Sequence, residues 1–68
     1  MEEFAEQFKR ARLAARITQA DMSKRMEIPL RTVESWEVGK RTPPPYVQRF
    51  ILNELESIAR ERAKENEE

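Results

Sequence analysis

The side chains in this sequence that could do chemistry are cations. Lys9, Arg10, Arg12, Arg16, Lys24, Arg25, Arg31, Lys40 and Arg41 crowd into residues 9–41, against Asp21, Glu27, Glu34 and Glu37, so the middle of the chain carries a net charge of +5. Acids at Glu2, Glu3 and Glu6, and a slight acidic excess after Arg41, bring the total to zero. Affinity for a nucleic acid comes largely from cations that displace counterions at phosphates, and a basic centre between acidic ends is a faint footprint of that kind. Other chemistries lack their residues. The chain has no cysteine and no histidine, the residues on which soft metal sites and most activated nucleophiles depend. No glycine-rich run could cradle a phosphate, and the carboxylates fall on expected helix surfaces or in the tail instead of around a loop-built pocket. No enzyme activity, metal, cofactor or small-molecule substrate is expected.

The elements that must carry these cations are helices. At 68 residues the chain is one domain, too small to bury more than roughly 60% of its unfolded surface. Without disulfide or metal, helix packing or oligomerisation has to stabilise it. A single glycine and many Ala, Leu, Arg, Lys, Glu and Gln residues suit helices and not strands.

Phe4, Phe8, Ala11, Ala14 and Ala15 recur at helical spacing and predict a first helix over about 2–15. Thr18 is a good N-cap, with Asp21 in the first turn, for a second helix to about Met26. Ala20, Met22, Ser23 and Met26 would face inward there, with Lys24 and Arg25 outside. Pro29 suits a first helical position, which places a third helix at about 29–38 that buries Val33 and Trp36 and stops at Gly39. The three residues Glu27–Pro29 between these helices have the length of a helix-turn-helix turn. After the stiff stretch Thr42–Pro45, the residues Val47, Phe50, Ile51, Leu55 and Ile58 predict one apolar face on a last helix over about 45–60.

The expected architecture is all-α: a small four-helix bundle with a helix-turn-helix, one domain over 1–60, its last helix extended, and a charged, frayed tail at 61–68. The expected core is Phe8, Met22, Val33, Trp36, Phe50 and Ile51. The opening MEEFAEQFKR has acids where a secretory signal has basic residues and an apolar run, and no apolar segment approaches the roughly 20 residues of a membrane helix. A soluble, intracellular chain away from membranes is expected.

Residues 18–44, TQADMSKRMEIPLRTVESWEVGKRTPP, resemble the pattern of the lambda repressor and Cro family of DNA-binding domains. That pattern is Thr-Gln, helix, short turn, helix, Trp-Glu, x-Gly-Lys-Arg, Pro, and the likeness extends over about 8–52. The resemblance implies that the third helix lies in the major groove of duplex DNA while the second crosses the backbone. Leu30, Arg31 and Ser35 then fall on base-reading positions, with Glu34 and Pro29 beside them. Arg31 is suited to a bidentate contact with guanine, Leu30 to a thymine methyl, and Glu34 to cytosine N4. Leu30 could equally cap the core between helices three and four. Phosphate contacts fall to Thr18, Gln19, Lys24, Lys40 and Arg41, and the resemblance pairs Arg12 with Glu37 in a structural ion pair.

The sequence departs from the family at Glu27, where glycine is usual, and at Pro29, where serine or threonine is usual. Glu27 implies a turn that either avoids a left-handed residue or tolerates one. The implied function is a small transcriptional regulator, a repressor of bacterial, phage or mobile-element type, acting in the cytoplasm on a palindromic operator. Any part of Phe50, Leu55 and Ile58 that the core leaves free would offer a patch for a homodimer through the last helix. The rival reading is a protein-binding module on the same scaffold, such as an antitoxin or anti-repressor.

Overall fold

In a computed structural model that describes residues 3–65, the chain folds into four helices: α1 (Phe4–Ala14), α2 (Gln19–Met26), α3 (Leu30–Glu37) and α4 (Pro45–Glu65). Position 2 and residues 66–68 of the expected tail lie outside the described residues. No helix among those described is long and apolar enough to cross a membrane. α1 packs on α3 and α4, and α2 packs on α3. Phe8, Met22, Val33, Ile51 and Leu55 are fully buried at the centre, ringed by Phe4, Ala15, Ile17 and Ile58. Phe4 and Phe8 stack with ring centroids 5.5 Å apart, and Trp36 meets both edge-on at 6.3 and 6.2 Å. These edge-to-face contacts suit the ring quadrupoles and clasp α3 to α1.

The first three helices stop in the same way. Arg16, Glu27 and Gly39 all have positive φ, at 57°, 55° and 83°. The N–H of the residue after each bonds back across the last turn: Ile17 to the carbonyl of Arg12, Ile28 to Ser23, Lys40 to Ser35. The left-handed residues themselves bond to Leu13, Lys24 and Trp36. This is the Schellman pattern, which satisfies carbonyls that a helix end leaves open and turns the following residue back toward the body. Ile17 is accordingly buried and Ile28 packs against the core. Glu27 therefore occupies the left-handed position itself, and the turn tolerates a non-glycine residue there.

Several expectations give way to the helical phase. Phe50 is not core: it is 73% exposed. Phe50 and Ile51 are neighbours in sequence and so lie about 100° apart around the axis. A face wide enough for Ile51, Leu55 and Ile58 does not reach Phe50. The same rotation leaves Ala14 exposed beside buried Ala15, and Ala20 is exposed on the outer side of α2. Pro29 is the N-cap of α3 and not its first residue, with φ −54° and ψ 136°. Its carbonyl accepts from Thr32 and Val33. At the last helix Pro44 accepts the first bonds, from Val47 and Gln48, and Pro45 takes the first helical position, where its missing N–H is no loss.

α4 also runs on to Glu65, where the sequence predicts fraying from 61. Its last turns are rich in good helix formers. They are also fastened to the body. Arg25 of α2 reaches Glu54 and Glu61 at 3.7 and 3.9 Å. The half-buried Arg62 lies beside Ala14, Arg16 and Ala59, where its stem covers apolar surface.

The left-handed residues give a stability test. A non-glycine residue at positive φ costs about 1–2 kcal/mol, partly offset by the extra freedom glycine brings to the unfolded chain. Glu27→Gly should therefore stabilise by about 0.5–1 kcal/mol, a rise of roughly 2–8 °C in Tm. Gly39→Ala should lower Tm through backbone strain alone, because an added Cβ would meet nothing nearer than Ala5 Cβ at 3.9 Å. Thermal melts followed by circular dichroism check both signs.

Candidate nucleic-acid interface

The position of α3 is fixed by an ion pair near its C-terminal end. Arg12 on α1 donates from Nε to Glu37 Oε1 at 2.7 Å and from Nη2 to Oε2 at 3.2 Å. Its Nη1 donates to the carbonyl of Ile17 at 2.8 Å. Gln19, the first residue of α2, donates from Nε2 to Glu37 Oε2 at 2.7 Å. The two charged side chains are only 12% and 10% exposed. One carboxylate thus joins α1 and the start of α2 to the end of α3, and its arginine partner also holds the α1–α2 turn. The side chain of Gln19 is committed to this junction.

Thr18 is committed as well. Its hydroxyl accepts the N–H of Asp21 at 3.0 Å, and Asp21 Oδ2 accepts the N–H of Thr18 at 3.4 Å, a reciprocal capping box. The N–H groups of Gln19 and Ala20 are left at the open, positive end of α2.

On α3, the backbone decides which cations meet. The Ser35 carbonyl accepts both Lys40 N–H at 2.9 Å and Arg41 N–H at 3.3 Å. This folds the loop after Gly39 back along α3. As a result Pro29, Arg31, Thr32, Ser35, Lys40 and Arg41 line one shallow cleft. Three guanidinium or ammonium groups and two hydroxyls face it, and no carboxylate is among its lining residues. Such a surface can attract an anion and donate hydrogen bonds to it.

The expected site residues divide as follows. Arg31, Ser35, Lys40 and Arg41 come together in the cleft. Leu30 opens α3 and is 42% exposed, and Glu34 is exposed farther along the helix. Lys24 does not join this group: it shares a different hollow with Ile17, Asp21, Arg25 and Arg62. Thr32 was not anticipated, although Pro29, Thr32 and Ser35 stand three residues apart and therefore along one side of α3. Gln48 was not anticipated either. Its Nε2 donates to the Pro43 carbonyl at 2.7 Å and steadies the approach to α4. Among the described residues, no group of three acidic, histidine or cysteine side chains is placed to hold a metal ion.

A family model described as helix-turn-helix matches residues 8–49. No curated protein and no solved structure matches the chain.

The ion pair can be tested by removal. Truncating one member of a largely buried pair strands the other charge and costs about 3–5 kcal/mol. Arg12→Ala should therefore lower the melting temperature by roughly 12 °C or more. Gln19→Ala, which leaves the pair intact and removes one donor to the carboxylate, should cost less, about 1.5–3 kcal/mol. Calorimetry on the two variants separates these magnitudes.

Proposed function

We propose, from the premise that the chain belongs to the helix-turn-helix family of the lambda repressor and Cro type, that it is a sequence-specific regulator of transcription with α3 in the major groove of duplex DNA. The DNA-binding helix-turn-helix follows from family membership. The finer reading rests on one observation: Arg31, Lys40 and Arg41 line a single cleft on α3 that has no carboxylate in its lining.

In this reading Arg31 points at base edges. Its fork matches the O6 and N7 of guanine, while Ser35 and Thr32 supply hydroxyls that suit several bases or a phosphate. Leu30, half-exposed at the start of α3, suits a thymine methyl, and Glu34 a cytosine amine. Lys40 and Arg41 meet the backbone on one side. On the other, the N–H groups of Gln19 and Ala20 at the positive end of α2 would receive a phosphate, with the Thr18 hydroxyl beside them. Lys24, exposed on α2, adds a phosphate contact outside the cleft, from the hollow it lines with Arg25 and Arg62. The target is a palindromic operator bound by two copies, and the action is repression. Leu55 and Ile58 are fully used inside the monomer, so of the three apolar residues weighed for pairing only Phe50 is free for it.

Selection of bound duplexes from a random pool, at low and high salt, tests the reading. A palindromic consensus that is lost at high salt is expected; absence of any enriched sequence would overturn it and favour a protein partner. Arg31→Ala should relax specificity at one base pair per half-site and cost about 1–3 kcal/mol on the preferred site. Lys40→Ala should weaken all sequences alike and reduce the salt slope by about one. An equal loss on all sequences for Arg31→Ala would remove α3 from base reading.

A further inference from the structure

Near the end of α4, Arg62 carries a buried donor that nothing answers. Among the described residues its Nε is shut off from solvent with no hydrogen-bond partner, and the side chain takes part in no ion pair. Buried donors are nearly always paired, so an exception asks for a function. Its neighbours sharpen the question. On one side Arg62 shares a hollow with Ile17, Asp21, Lys24 and Arg25, and on the other it lies beside Arg16. Four cations thus gather around a single acid of the hollow, Asp21, whose Oδ2 already accepts the N–H of Thr18. Arg25 is engaged by Glu54 and Glu61. That leaves the guanidinium of Arg62 and the exposed ammonium of Lys24 unpaired among the described residues. Like charges held together repel, and an anion between them would remove that repulsion and give Nε its acceptor.

We propose that Lys24 and Arg62 hold a phosphate group between them, and that this group belongs to the DNA backbone, so that the end of α4 joins the nucleic-acid interface. The layout of α2 supports the source. Ile17 stands just before the N-cap, and Asp21, Lys24 and Arg25 follow along one side of the helix. The hollow therefore begins at the open N-terminal end of α2, where the reading above places one phosphate. Lys24 is five residues beyond Gln19, about 7.5 Å along the axis, too far to share that phosphate, so the hollow takes a separate one. Arginine suits the task, because its planar fork can grip two phosphate oxygens while Lys24 adds a point charge. Burial of Nε holds the fork in place before any ligand arrives, so little side-chain freedom is lost on binding. A contact to phosphate adds affinity without reading sequence.

The assignment to DNA rests on the reading above, and a test with a duplex of arbitrary sequence keeps the two apart, since it does not depend on base recognition. Nuclear magnetic resonance follows the Nε–H of Arg62, identified by its loss in Arg62→Gln, while a short duplex or inorganic phosphate is added at low salt. The duplex should shift this signal. A response to inorganic phosphate and not to the duplex would retain the site but overturn the DNA backbone as its source. A response to neither would overturn the proposal, whatever the fate of sequence-specific binding. In salt titrations Arg62→Gln should lower the salt slope by about one and weaken all sequences alike. Lys64→Gln, which removes an exposed cation of the same helix outside the hollow, should leave the slope unchanged. An equal loss for both variants would reduce Arg62 to bulk charge and overturn the contact. The melting temperature of Arg62→Gln should stay within about 4 °C of the parent, because no partner is stranded. Weaker binding by that variant is then a lost contact and not a lost fold.

Discussion

A carboxylate removed from water is tolerable only when donors replace the water it loses, and at Glu37 three side-chain N–H groups do so. Two come from the fork of Arg12 and one from Gln19, and Arg12 spends its remaining reach on the Ile17 carbonyl. These partners sit on three different segments. The angle between α2 and α3 is therefore set by a satisfied charge and not only by side-chain volume. The consequence is functional, because a helix-turn-helix depends on the offset between the open end of α2 and the exposed side of α3. A lysine at position 12 could not reproduce the arrangement. An ammonium lacks the planar fork that grips both carboxylate oxygens while a third nitrogen reaches a carbonyl.

Around that junction, chain reversals do the positioning. The left-handed residues Arg16, Glu27 and Gly39 end the three short helices, and each reversal serves a different neighbour. At Arg16 it delivers Ile17 to the core and its carbonyl to Arg12. At Glu27 it sets the short turn between α2 and α3 and brings Ile28 against the core. At Gly39 it returns Lys40 and Arg41 to α3 through the Ser35 carbonyl. The cationic cleft is in this sense a product of backbone hydrogen bonding. Arg41 is ten residues from Arg31 in the chain, and only the closed turn puts the two on one surface.

α4 illustrates how one helix serves two surfaces. Ile51, Leu55 and Ile58 complete the core beneath α1, and their spacing uses a stripe less than half the circumference wide. The aromatic residues Tyr46 and Phe50 fall outside that stripe and remain in solvent. Burying them in the same core would require rotating the helix and exposing Ile51, so the fold cannot satisfy both sets at once. A chain of zero formal charge also gains from this separation of surfaces. Four of its thirteen acids lie on α4, where Glu54 and Glu61 engage Arg25 and Glu56 engages Arg60, and no acid lines the cationic cleft.

The sequence by itself determined the number, order and kind of the elements. Punctuation by Thr18, Pro29, Gly39 and the prolines before Tyr46 acts locally, through capping groups and forbidden backbone angles, and local constraints can be read without knowing the fold. The motif from Thr18 to Pro44 likewise carried the family and the pairing of Arg12 with Glu37 as an implication. What only the tertiary structure decided was which side of each helix meets which neighbour. Hydrophobic spacing admits both Phe50 and Ile51 to an apolar face, and the choice between them depends on where α1 lies. It also took the folded chain to commit the Gln19 side chain to Glu37, to separate Lys24 from Arg31, Lys40 and Arg41, and to add Thr32 to the cleft. Those outcomes depend on distances between segments far apart in sequence, which composition and periodicity do not contain.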